Sequence, residues 1–173
     1  MNNKIFKYLD SFRKSKAISD FKVSILTINI VILIVVLFEI IIESIFYLEI
    51  SNRQIIFNLT VLFYLFSISY ASLKFYFNYK NLFNNSNNES IAHLIGNKFE
   101  YIRDQLINAY QLEHNLNKNN KVEYELSNHA IQKIKNKIDN LSISFNSKKI
   151  HSLLRNLCLV TLILIISLGL FNN

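Results

Sequence analysis

The residue in this sequence best placed to do chemistry is a carboxylate inside an apolar run. Glu39 closes a stretch that is free of charge from Val23 to Phe38, and Glu43 follows one helical turn later. A charge near the middle of a bilayer costs about 3 kcal/mol on insertion scales, so such residues tend to mark a pathway, a proton relay or a helix contact. The competing account is a carboxylate one turn from the surface that snorkels outward, with Glu43 widening the same polar end. Arg103, Asp104, Asn108 and Gln111 form a second set, on a helical repeat whose other side is apolar. These groups could hold helices together or dock a partner, and otherwise make a solvated face.

Other chemistries find no foothold. His93, His114, His129 and His151 lack the short paired spacing and the carboxylate company of a metal site. No glycine-rich phosphate loop, G-x-S-x-G elbow or Ser-His-Asp arrangement is visible. The reading is therefore of a protein that is not an enzyme, with no catalytic residue, no metal and no cofactor.

The elements that must position these residues follow from composition. The chain has 173 residues, of which 51% are hydrophobic and 18% charged, a balance too apolar for a soluble core of this size. Pro is absent and Gly occurs twice, at Gly96 and Gly169, which removes the usual punctuation of strands and tight turns and predicts an all-α protein. The single cysteine, Cys158, lies in an apolar run and reads as a packing residue. A net charge of +7 would suit nucleic acid, but Lys4, Lys7, Arg13, Lys14, Lys16 and Lys22 precede the first apolar run, and Lys74, Lys80, Lys148, Lys149 and Arg155 flank the central segment. That distribution is the positive-inside pattern of a membrane protein, and no nucleic acid is expected as a partner.

Taken in order, residues 1–22 read as a basic amphipathic segment, with Ile5, Phe6, Leu9, Phe12, Ile18 and Phe21 spaced at threes and fours among lysines. A helix of this kind lies in the interface, apolar side in the acyl boundary and lysines at anionic head groups. Residues 23–77 read as a transmembrane hairpin. Its first span runs from Val23 to Glu43 and its second from Ile55 to Leu73, with a short turn at Ser51, Asn52, Arg53 and Gln54. Thr60, Tyr64, Ser67 and Ala71 share one face of the second helix, a stripe of small residues and hydroxyls suited to close approach.

Residues 78–151 are the polar, cytoplasmic segment. The Ser86-x-x-Glu89 spacing of a capping box predicts a helix start there, with Gly96 either ending a short helix or bending a long one. A further helix is expected from about Val122 to Asp139, so that Leu106 on one helix and Ile134 on the other lie on facing apolar stripes of a helical hairpin. Burial of some eight large side chains, at about 1.5 to 3 kcal/mol each, does not cover the ordering cost of so many residues. That hairpin therefore needs the membrane-proximal surface, a second copy or more chain. Residues 152–173 form the third span, with Arg155 snorkelling at its inner end.

The central residues carry a resemblance. Ile91-Ala92-His93-Leu94-Ile95-Gly96, followed by Phe99-Glu100-Tyr101-Ile102-Arg103-Asp104-Gln105-Leu106-Ile107-Asn108-Ala109-Tyr110-Gln111-Leu112, resembles the "IG..F..I.D.L.NALQL" stretch near the start of large bacterial membrane proteins known only as a domain of unknown function. Glu43-Ser44-Ile45-Phe46-Tyr47 is similar to the "EALFW" that ends the first span of that family, and Ala130-Ile131 falls where its next helix has a similar pair. The resemblance implies three N-terminal spans in the bacterial inner membrane, a cytoplasmic N-terminus and an extracytoplasmic C-terminus, and no catalytic residue. Members continue into a long extracytoplasmic region that this sequence lacks, so the chain is expected to be the start, or a remnant, of something longer. Two functions are expected to compete: a membrane anchor and assembly module that docks a protein partner or a second copy, and an oligomeric transport or pore component built around Glu39.

Overall fold

The computed structural model describes residues 4–82, 88–99, 102–115, 129, 132–134 and 145–171. Among them, helix is the only regular secondary structure, as the scarcity of Gly and Pro predicts. The helices are α1 (Lys4–Phe46), α2 (Ile50–Tyr79), α3 (Asn88–Lys98), α4 (Arg103–Asn115) and α5 (Ser147–Phe171). Three of these, α1, α2 and α5, are long and apolar enough to cross a membrane. Among the described residues the protein is thus all-helical, with three helices that could span a membrane.

No break separates the basic N-terminal stretch from the first span. Residues 4–46 contain neither Gly nor Pro, so nothing interrupts the i to i−4 ladder, and α1 reaches 43 residues, about twice the ~20 that cross a bilayer. The chain turns at residues 47–49 and α2 is under way by Ile50. The expected turn at Ser51 to Gln54 is thus the first part of α2, and the reversal sits a few residues earlier. Tyr47 makes it possible by adopting the left-handed region at φ 46°, its amide bonded to the Glu43 carbonyl at 3.0 Å. At the other end of α2, Asn81 at φ 60° closes the helix, with the Leu82 amide reaching back to the Phe77 carbonyl at 3.0 Å. Asn tolerates that conformation better than most residues, which is why the helix stops there without a glycine.

The chain divides into two units. The first comprises Met1–Ala17 and Phe77–Ser144, the second Ile18–Tyr76 and Phe145–Asn173.

The core of the first unit joins Ile5 and Leu9 of α1 to Ile91, Ala92 and Ile95 of α3, to Ile102, and to Leu106 and Ala109 of α4, with Ile134 beside them. Tyr8, Phe12, Phe99 and Tyr110 pack around it, and the Phe6 and Tyr110 rings lie 5.2 Å apart. Leu9, Ile95, Ile102 and Leu106 are fully buried. This corrects the reading of the N-terminal stripe as one that enters the acyl boundary, because Ile5 and Leu9 are covered by protein. The physical reason is the deficit noted above: two short helices cannot bury enough surface alone, and α1 supplies the missing wall. Of the two alternatives left open at Gly96, a short helix that ends is the one found, since α3 and α4 are separate helices. Gly96 lies inside α3, and the break comes after it, where the Phe99 amide bonds to the Ile95 carbonyl and the Ile102 amide to the Phe99 carbonyl, each at 3.0 Å. The helix expected from Val122 to Asp139 falls largely outside the described residues, but Ile134 does share a core with Leu106.

In the second unit, α1 and α2 run antiparallel. Four contacts fix the register: Phe21 with Phe75 (ring centroids 4.9 Å), Asn29 with Tyr64 (3.3 Å), Glu39 with Thr60, and Glu43 with Arg53 (2.9 Å). Positions rise along α1 as they fall along α2. The third long helix, α5, begins five residues before the expected start at residue 152 and is tied to α1 at its start. There the Ser19 hydroxyl donates to the Phe145 carbonyl at 2.7 Å, and the Asn146 amide donates to Asp20 at 2.7 Å.

Candidate functional site

Three of the four residues in the hydroxyl and small-residue stripe of α2 have a defined role in this pairing. Ala71 is the one buried residue of α2, Tyr64 donates to the Asn29 side chain, and Thr60 donates to a carboxylate oxygen of Glu39. Ser67 instead bonds the Phe63 carbonyl of its own helix at 2.8 Å. Other polar side chains in the apolar runs do the same: Thr27 bonds the Val23 carbonyl, Asn29 the Ile25 carbonyl, Ser69 the Leu65 carbonyl and Ser167 the Leu164 carbonyl. Where no water reaches, a hydroxyl is satisfied most simply by the carbonyl one turn back.

Glu39 differs from these, because an acceptor-only carboxylate cannot use a backbone carbonyl. It takes its hydrogen bond from the facing helix. Four residues further on, Glu43 pairs with Arg53 across the turn, both side chains about half exposed. The two carboxylates therefore have different partners, one a neutral hydroxyl and one a guanidinium. Both line a cavity of about 430 Å³ at the closed end of the α1–α2 pair, bounded by Val36, Ile40, Ile56 and Phe57 and by the polar groups of Arg53 and Gln54. Glu39 and Glu43 are thus brought into one site, as the four-residue spacing required.

The second expected set lies on α4. Asp104, Asn108 and Gln111 are exposed along one face of α4, opposite the buried Leu106 and Ala109. Arg103 begins the helix, but its side chain lies outside the described set. The exposed face has the geometry of a contact surface or a solvated side. His93, His129 and His151 are each exposed, and among the described residues no group of His, Cys, Asp and Glu is placed to hold a metal ion. Cys158 is exposed on α5.

Sequence reasoning missed two features. Asn29 is the bonding partner of Tyr64, and only the antiparallel register of the two runs could have paired them. Arg13 is buried, paired with Asp10, while Lys14 bonds the other oxygen of Asp10 at 2.7 Å and lies over the Tyr79 ring. The i, i+3 and i, i+4 spacing of Asp10 to Arg13 and Lys14 was the available signal. In the sequence these residues read as part of a general basic stretch.

Comparison of the chain with protein-family models, with curated proteins and with solved structures found no match.

Proposed function

We propose that the protein is a non-enzymatic membrane anchor and assembly module, in which α1, α2 and α5 span a bacterial inner membrane and the unit built from α3 and α4 is presented to the cytoplasm. One observation supports the reading most. Ile5 and Leu9 of α1 share a core with Ile95, Ile102 and Leu106, so the helix that becomes the first span is also a wall of the polar unit.

The charge pattern supports an inward N-terminus and an outward C-terminus. The resemblance to the N-terminal region of large bacterial membrane proteins of unknown function supports the same arrangement and rests on the residues quoted for it. The face of α4 that bears Asp104, Asn108 and Gln111 is the proposed docking surface, for a protein partner or a second copy. Co-purification of a tagged with an untagged full chain, and of the tagged chain with its native membrane, tests this. Asp104→Lys combined with Asn108→Arg is expected to lower partner recovery while melting at the same temperature. Unchanged recovery would remove this surface from the reading.

The alternative, a pore or transporter made of several copies around Glu39, is less well supported. Such a path would need the hydroxyl stripe of α2 to face it, yet Thr60 and Tyr64 are spent on α1 of the same copy. Ion flux in liposomes is the measurement that would reverse this ranking.

A further inference from the structure

The cavity at the closed end of the α1–α2 pair has an unbalanced charge in an apolar wall. Its lining holds two carboxylates, Glu39 and Glu43, and one guanidinium, Arg53. Arg53 and Glu43 neutralise each other at 2.9 Å, while Glu39 has the Thr60 hydroxyl, a neutral donor, as its partner. One negative charge is left in excess. A carboxylate offers about four lone-pair positions and a single hydroxyl fills one of them, so Glu39 has acceptor capacity to spare. At about 430 Å³ the cavity falls within the roughly 300–1,000 Å³ typical of small-molecule sites.

We propose that this cavity is a binding site for the primary ammonium head of a membrane lipid, with Glu39 as counter-ion. Three properties of the lining select that class. The excess negative charge calls for a cation and rejects an anionic head. Spare lone pairs on Glu39 favour an ammonium that can donate hydrogen bonds over a quaternary one that cannot, and Phe57 is an aromatic residue in the same lining. The walls of Val36, Ile40 and Ile56 continue into the apolar surface of the spans, so the occupant is a head group that arrives with its chains already in the bilayer. Arg53, with five donors of which the Glu43 contact occupies a part, stands beside the same cavity and is suited to the phosphate next to such an ammonium. The assignment requires the spans to lie in a bilayer and does not depend on any docked partner.

The test uses the full chain in nanodiscs made from equal parts of phosphatidylethanolamine, phosphatidylcholine and phosphatidylglycerol, with retained lipid read by native mass spectrometry after release. The ethanolamine lipid is expected to be enriched over both others. Glu39→Gln still accepts from Thr60 but carries no charge, and is expected to lower that enrichment about tenfold, the equivalent of ~1.4 kcal/mol. Val36→Phe, which fills the cavity and leaves the carboxylate in place, is expected to abolish it as well. Helix content by circular dichroism identifies a variant that has failed to fold, in which case the other variant decides. Equal retention of the three lipids by the unaltered protein would overturn the proposal, as would undiminished enrichment in a folded Glu39→Gln or Val36→Phe. Equal retention of the choline and ethanolamine lipids would overturn the assignment to a primary amine.

Discussion

Glu39 illustrates how a polar residue is tolerated where water is scarce. Its hydrogen bond comes from Thr60 on the facing helix, and interhelical bonds of this kind are worth on average about 0.6 kcal/mol in a membrane protein. Glu39→Gln keeps the bond and removes the charge, so insertion and α1–α2 pairing are expected to be as good as in the unaltered chain. Thermal melting in detergent checks this, and a fall of the midpoint by many degrees would mean that the charge itself holds the pair together. Glu43 and Arg53 belong to a different class. Half-exposed ion pairs contribute about 0.2 to 1 kcal/mol, so Arg53→Ala is expected to shift the midpoint only slightly, and exchanging the two charges by Glu43→Arg with Arg53→Glu should restore it. The position of Glu39 could be read in the sequence, since a charge after sixteen uncharged positions is conspicuous. Its partner could not, because Thr60 is one of several hydroxyls in α2 and only the register of two helices selects among them.

At the scale of elements, the outcome depends on which apolar stripes find each other. Ile91, Ile95, Ile102, Leu106 and Ile134 were legible as helical stripes that needed a partner, and the structure places them in one core. The partner was not legible. Ile5 and Leu9 have the same spacing whether they face lipid or protein, and the lysines between them fit either environment. The two possibilities give different results on substitution. Leu9→Asp would put a carboxylate among fully buried side chains, a loss of more than about 3 kcal/mol, and is expected to make the segment between α4 and α5 readily cut by protease. Leu106→Asp and Ile134→Asp are expected to give the same digestion pattern, which would show that residues far apart in sequence share one cooperative unit. Leu9→Asp without any change in digestion would return the N-terminal stripe to the membrane surface. The break between α3 and α4 falls just past Gly96, where a short helix was expected to end or a long one to bend. Gly96 drew attention as the only glycine in the central segment, whereas the helix in fact ends in a backbone turn at Phe99 to Ile102.

For the molecule as a whole, three helices are long and apolar enough to cross a membrane, and the positive-inside pattern of the lysines and arginines predicts their direction. A phosphatase fused after Asn173 is expected to be active outside the cytoplasm, while one fused near Lys118 is expected to be inactive. The reverse pattern would invert the orientation without altering the fold. The three long apolar helices were legible because ~20 consecutive apolar residues are a long-range signal that no local packing disguises. The division of α1 was legible in part: the end of the basic stretch at residue 22 lies five residues past Ala17, where the first unit leaves α1, but nothing in the stretch showed that its apolar side packs on protein.

That shared helix also imposes an order of events. Leu9 leaves the ribosome 97 residues before Leu106, an interval of about 5 to 20 s at ~5–20 residues per second. Throughout that interval the span that follows Leu9 can already enter the bilayer, whereas the protein partners of Leu9 have not been made. The folding of the polar unit is thus subordinate to translation, and a pause before Ile91 leaves Ile5 and Leu9 exposed for as long as it lasts. Synonymous changes that slow decoding between Lys80 and Ile91 would accordingly lower the yield of folded protein without altering a single residue.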